Sequence, residues 1–151
     1  MISQRLEELG IELPALAPRG NYSIGRTVGS TLYVSGQGPI SDGMTLRGTV
    51  GTDVSLDEAK AGARRAAIHL LAAASEAIGD VNRVRSVVNL TVYVRAAADF
   101  TDHSIVADGC SDLFADVFGD AGLAARAAIG VSTLPFDLAL EVTAVFEIGP
   151  A

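Results

Sequence analysis

The groups in this chain best suited to chemistry are an arginine and a glutamate, Arg126 and Glu141, each set in a run of small and apolar residues. In the first run Arg126, Ala128 and Gly130 share one face, opposed by Ala127, Ile129 and Val131. In the second, Leu138, Leu140, Val142, Ala144 and Phe146 share a face, opposed by Ala139, Glu141, Thr143 and Val145. Alternation with period two marks a half-buried strand, and the short break at Ser132-Thr133-Leu134-Pro135 predicts a hairpin or near-hairpin. A turn centred between Thr133 and Leu134 sets Arg126 directly opposite Glu141 with both side chains on one face. On these patterns alone Arg126 is an exposed strand arginine or one half of an ordinary ion pair with Glu141.

The other reactive side chains offer less. His69 and His103 lie far apart with no third ligand in view, which predicts no metal site. His69 reads as a histidine at the edge of the core, His103 as a solvated one near a helix start. Cys110, the only cysteine, falls on an apolar stripe and reads as a small buried hydrophobe. Its solitude excludes an intrachain disulfide framework. No serine or cysteine carries a local histidine and acid of the kind that activates a nucleophile.

The elements that must position these groups follow from local signals. Residues 1–20 form a lead-in: a short amphipathic start, then an extended stretch with Pro14 and Pro18, expected to strap a sheet edge without chemistry of its own. Gly29-Ser30 between residues 21–28 and 31–37 predicts a first tight hairpin, and a third short strand is expected over residues 46–50. Ser55-Leu56-Asp57-Glu58 is a capping box that opens a helix running to about Ile78, stopped by Gly79. Its inward stripe, Ala63, Ala66, Ala67, Leu70, Ala74 and Ile78, is mostly alanine, which lets a helix lie close against a sheet. Residues 84–94 alternate as one long strand, with Ser86 and Val88 on the face of Val84, and Val87 and Tyr93 on the other. A second helix is expected over residues 98–118, with Val106, Cys110, Leu113, Phe114 and Val117 inward and Gly119 as its stop. This order predicts a single α+β domain over residues 1–151: one mixed β-sheet with two helices packed on one face.

Composition narrows the function classes. A chain of 151 residues with 49% hydrophobic residues and mean hydropathy of +0.36 can bury a core unaided. No apolar run is long enough for a membrane span, and the charged N-terminus has no signal-peptide core, so a cytoplasmic protein without membrane contact is expected. Eighteen acidic against eleven basic residues leave a net charge of −7, with the densest basic cluster only Lys60, Arg64 and Arg65, which argues against a nucleic-acid partner.

Two separated stretches resemble the RidA/YjgF family, historically also called the endoribonuclease L-PSP family. One is Arg126, Gly130, Val131, Leu134, Pro135 and Glu141 in their spacing; the other is Leu32-Tyr33-Val34-Ser35-Gly36-Gln37-Gly38-Pro39, a strand ending in Ser-Gly-Gln-x-Pro. The resemblance covers residues 21–148 and implies the chorismate-mutase-like fold, a homotrimer with pockets between subunits, and no cofactor. It implies hydrolysis of reactive enamine/imine intermediates of the 2-aminoacrylate type to 2-keto acids and ammonia. In that reading Arg126 holds the substrate carboxylate, Glu141 either pairs with Arg126 or steers the attacking water, and Tyr22, Ser35 and Gly36 line the pocket. A non-catalytic binder of small carboxylates, and a ribonuclease or translation inhibitor, are the alternatives. The chain departs from the family pattern in having no asparagine in the stretch Ile105-Val106-Ala107-Asp108-Gly109, and Ala128 where many relatives carry a cysteine. The lead-in and the segment Gly119-Asp120-Ala121-Gly122 are also atypical.

The charge balance has a direct consequence. Filter binding and cleavage assays with single-stranded RNA at physiological salt are expected to show neither binding nor cleavage; binding that weakens as salt is raised would expose a basic surface that the composition hides.

Overall fold

Serine 55 and Glu58 cap each other as the sequence requires, the Ser55 side chain accepting from the Glu58 N–H and the Glu58 carboxylate from the Ser55 N–H. They open α2 (Leu56–Ile78), which ends on Gly79 in the left-handed conformation, φ +79°. In the computed structural model, which describes residues 1–41 and 43–151, α2 lies beside α3 (His103–Phe118), and both cover one face of a five-stranded sheet. The contact is close because its residues are small. A Cβ on Gly109 of α3 would lie 2.1 Å from the Lys60 carbonyl oxygen of α2, and Ala59, Ala63, Ala66 and Ala67 are fully buried. A short α1 (Ile2–Glu8) tucks Leu6 into the same core.

The strands are β1 (Gly25–Val28), β2 (Thr31–Gln37), β3 (Val84–Arg95), β4 (Ala125–Val131) and β5 (Leu140–Ile148), in the spatial order β1-β2-β5-β3-β4. The fold class is therefore the expected one, a mixed sheet with two long helices on one face. The first hairpin is also as expected, with Gly29 at φ +60° between β1 and β2.

Four expectations change. The terminal hairpin does not form: β4 pairs with β3 in parallel, and β5 pairs antiparallel with β3 and β2, so β3 lies between β4 and β5. The reason is length. Residues 132–139 are too many for a tight hairpin, and they are tied elsewhere: Gly48 N–H donates to Asp137 O, and Ala139 N–H to Leu46 O. The same ties explain why residues 46–50 make isolated bridges, not a strand. Within the connection Phe136 and Asp137 both sit in the left-handed region, φ +58° and +62°, a conformation that costs about 1 kcal/mol or more per side-chain-bearing residue.

In β3 the simple alternation is broken by two register shifts, between Val84 and Ser86 and between Val87 and Asn89. These bulges turn Val87 into the core and Val88 out of it, the reverse of the sequence reading. α3 starts at His103, five residues later than expected, because residues 96–102 first form a turn closed by Phe100 N–H to Ala97 O. Its inward residues Val106, Cys110, Leu113, Phe114 and Val117 are buried as read.

Replacement of Gly109 by alanine tests the helix contact. With a backbone carbonyl in the way, α2 and α3 must separate, and urea melts of Gly109→Ala are expected to show a loss of at least about 2 kcal/mol.

Candidate functional site

Arg126 emerges from β4 opposite Leu90 of β3, and Leu90 is buried under the helices, so the guanidinium points towards α3. There it is met by a row of polar side chains at helical spacing. Nη1 donates to Asp108 Oδ1 at 2.8 Å and to Ser111 Oγ at 2.9 Å; Nη2 donates to Ser104 Oγ at 2.9 Å and Ser104 O at 3.2 Å. The side chain is 20% exposed. Arg126 thus has an acid beside it, as the sequence suggested, but the acid is Asp108.

Glu141 lies opposite Tyr93 of β3, on the sheet face turned away from the helices, while its neighbours Leu140 and Val142 point into the core. Arg126 and Glu141 are therefore on opposite faces, two strand spacings apart across the sheet and three residues apart along it, about 10 Å in each direction. The direct cross-strand pairing read from the alternation does not occur, because β3 stands between the two runs.

Glu141 instead sits against β2. The β2–β5 register shifts between Val34 and Gln37, and within this bulge Gly36 lets the carboxylate lie against the backbone: a Cβ on Gly36 would be 2.7 Å from Glu141 Oε1. Partial burial without a compensating positive charge raises the Glu141 pKa above the usual glutamate value.

Glu141 and Gly36 belong to the wall of a cleft of about 480 Å³. Tyr22 lines it, its hydroxyl accepting from the Arg19 N–H at 3.2 Å. Ser35 does not: its hydroxyl donates to Ser23 O at 2.6 Å and so satisfies the backbone, leaving the wall to Gly36. His69 is buried, lines the cleft, and is held below the usual histidine range by desolvation and then by Arg65, so it is neutral at pH 7. His103, read as solvated, packs instead between Phe100, edge-on at 5.1 Å, and the backbone of Gly130. Cys110 is buried as read, its Sγ 3.0 Å from Ala63 O, and desolvation pushes the thiol up to about 12. Among the described residues no three His, Cys, Asp or Glu side chains gather as a metal site would require, and no helix is long and apolar enough to cross a membrane.

The sequence reading missed three contributors. The lead-in is not an idle strap: residues 14–19 form part of the cleft wall. Phe136 lines it too, its ring 5.5 Å from the Arg19 guanidinium. The cage around Arg126 was detectable, since Ser104, Asp108 and Ser111 recur at the spacing of one helix face.

Comparison with known proteins gives a consistent result. The family model described as "YjgF/chorismate_mutase-like, putative endoribonuclease" matches residues 3–147. Protein TCP17 of Trypanosoma cruzi is 42% identical over 150 residues, covering 97% of this chain and 94% of that protein. The crystal structure of Atu1372 from Agrobacterium tumefaciens, whose function is unknown, is 38% identical with a TM-score of 0.89, covering 98% of this chain and 92% of that one. The YjgF gene product of E. coli is 28% identical with a TM-score of 0.63, covering 88% of this chain and 92% of that one.

The close approach of Glu141 to Gly36 is testable by one methyl group. Gly36→Ala is expected to push the Glu141 carboxylate off the backbone and move its pKa back towards the usual 4.5 in an NMR titration, with the melting temperature little changed; an unmoved titration would show that this contact does not set the place of the carboxylate.

Proposed function

The chain belongs to the YjgF/chorismate-mutase-like family, and on that footing we propose that it hydrolyses reactive imines and enamines of the 2-aminoacrylate type to 2-keto acids and ammonia. The observation that carries the reading is Glu141, a half-buried carboxylate in a cleft wall with its pKa raised by desolvation. A carboxylate raised in this way is a better proton acceptor than an exposed one. Glu141 holds a water against the imine carbon and takes its proton as the C–O bond forms. It gives that proton to the nitrogen of the resulting carbinolamine, then takes the hydroxyl proton as the C–N bond breaks and the carbonyl forms. That proton passes to the departing ammonia, so that a protonated imine and water give a ketone and ammonium. The imine is already electrophilic, and positioning supplies much of the rest. Tyr22 and Gly36 shape the wall beside it.

Arg126 is the clamp for the substrate carboxylate. Asp108 already occupies one edge of the guanidinium, and a ligand carboxylate that takes its place exchanges one anion for another without leaving the arginine unpaired. Because Arg126 and Glu141 face opposite sides of the sheet, the clamp serves a given cleft from a neighbouring copy, and the working form is a homotrimer with shared sites. Exposed Tyr33, Val88 and Ile129 on the strands, and β4 at the sheet edge, support such an assembly. The net charge of −7 speaks against the ribonuclease reading.

The test is release of keto acid from 2-aminoacrylate generated in situ by a serine dehydratase. Wild type is expected to accelerate release, Glu141→Gln to lose roughly a hundredfold or more, and Arg126→Ala to lose roughly ten- to hundredfold in keto-acid binding, with little recovery in Arg126→Lys. Keto-acid binding without acceleration would leave a capture protein, and light scattering from a stable monomer at micromolar concentration would end the shared site. Activity should fall as pH drops through the raised Glu141 pKa, above the usual 4.5. Stability moves the other way. The folded protein binds this proton more tightly than the unfolded chain, so wild type loses stability as pH rises from 4.5 through the raised value. Glu141→Gln is therefore expected to melt above wild type at neutral pH and to lose that advantage below 4.5.

A further inference from the structure

The wall of the Glu141 cleft carries a single positive charge. Of its two basic side chains His69 is neutral, because desolvation and then Arg65 lower its pKa, which leaves Arg19 at the end of the lead-in. Most arginines of the chain are spent on internal partners: Arg47 donates to Phe136 O, Arg65 to Met44 O and Arg83 to Ile78 O, and Arg64, Arg95 and Arg126 each pair with an aspartate. Among the described residues the Arg19 guanidinium meets no carboxylate and no other acceptor; it lies over the Phe136 ring, 5.5 Å from its centre. Arg26 and Arg85 are also without an acceptor there, but they do not line the cleft.

Arg19 is held at both ends. Its backbone N–H donates to the Tyr22 hydroxyl at 3.2 Å, which fixes where the side chain starts. The Phe136 ring fixes where it ends, and that ring is itself pinned. Phe136 and Asp137 both adopt positive φ, kept there by Arg47 Nε donating to Phe136 O at 3.1 Å, by Gly48 N–H donating to Asp137 O at 3.0 Å and by the Arg95–Asp137 ion pair. Strain maintained by surrounding contacts is characteristic of binding sites. An aromatic ring attracts a guanidinium without supplying an acceptor oxygen, so the cation is positioned while its capacity to bind an anion is kept. Glu141 does not neutralise it. The Glu141 pKa is raised by desolvation with no cation lowering it, so Arg19 stands clear of that carboxylate within the cleft.

We propose that Arg19 binds an anionic group of the ligand, and that the preferred substrate is the imine of an acidic amino acid, with a second carboxylate on its side chain. The 2-carboxylate then goes to Arg126 of a neighbouring copy, the reacting carbon to Glu141 and the side-chain carboxylate to Arg19. The assignment rests on the reading of this cleft as an imine-hydrolysing site and deepens it by naming the substituent on the reacting carbon. A ligand with two anionic groups needs two cations, the more so in a chain of net charge −7 whose field opposes it. Held by the guanidinium, the second carboxylate accepts charge-assisted hydrogen bonds; a methyl group in its place leaves Arg19 to water. The cleft, about 480 Å³, is of the size that encloses small-molecule ligands.

The experiment compares 2-oxoglutarate with 2-oxopentanoate, keto acids of equal carbon count that differ by a terminal carboxylate in place of a methyl group. In calorimetric titration wild type is expected to bind 2-oxoglutarate at least about tenfold more tightly, and Arg19→Gln to bring the ratio to within about twofold of one by weakening the diacid. Arg19 is exposed, so its replacement does not put folding at stake. Hydrolysis is compared in parallel with imines generated in situ from glutamate and norvaline by amino-acid oxidases. For wild type, kcat/KM is expected to favour the glutamate-derived imine at least about tenfold, a preference lost in Arg19→Gln. Failure of 2-oxoglutarate to bind, equal binding of the two acids, or a ratio unmoved by Arg19→Gln would overturn the assignment. Equal acceleration of both imines, in wild type and variant alike, would take Arg19 out of the site and leave the hydrolytic reading standing. If the diacid binds preferentially through Arg19 and neither imine is hydrolysed faster, the Arg19 site stands and the hydrolytic reading falls.

Discussion

β3 is hydrogen-bonded along both edges, to β5 by an antiparallel ladder and to β4 by a parallel one. A parallel neighbour needs a crossover long enough to return the chain to the same end of the sheet, and α3 supplies it. Once that crossover is made, the helix-facing residues of β4 must look at α3, and Arg126 meets the polar row of Ser104, Asp108 and Ser111. The only side of β3 left for β5 is the other one, where its outward residues meet the bulged end of β2, and Glu141 reaches Gly36. The two charged groups are separated by the connectivity itself, and a three- or four-carbon ligand cannot span them within one chain.

Much of the scaffold could be read from residue patterns because the signals were local. Ser55 and Glu58 cap over one turn, Gly29 and Gly79 are read from backbone freedom, and the stripe of Cys110, Leu113 and Val117 needs only the helical period. Strand partners are a different matter. The alternation in residues 125–131 and 140–148 reports which faces are apolar and says nothing about whether a neighbour in sequence is a neighbour in the sheet. The bulges at Arg85 and Val88 erase the alternation where it would have placed Val87.

The site was legible in part for the same reason. Glu141, Tyr22 and Gly36 stand together because each belongs to or adjoins β2 and β5, whose pairing puts them in one wall. Arg126 stands apart because its place depends on the crossover. Arg19 and Phe136 carry no signal that links them in sequence; their contact comes from an extended segment folding back across the end of the sheet. The Phe136–Asp137 turn also contradicts propensity, since neither residue favours positive φ as glycine would. Hydrogen bonds from Arg47 to Phe136 O and from Gly48 to Asp137 O, with the Arg95–Asp137 ion pair, hold the conformation.

The thiol of Cys110 has a meaning beyond packing. It is the only thiol of the chain, sealed from solvent, donating to the Ala63 carbonyl, and so far from its ionised state at physiological pH that thiolate is essentially absent. Electrophiles modify thiolates, and an open thiol of ordinary acidity would be alkylated by any conjugated electrophile that reached it. Here the folded chain keeps its one thiol closed to such attack, so alkylation of that sulfur requires the chain to open first.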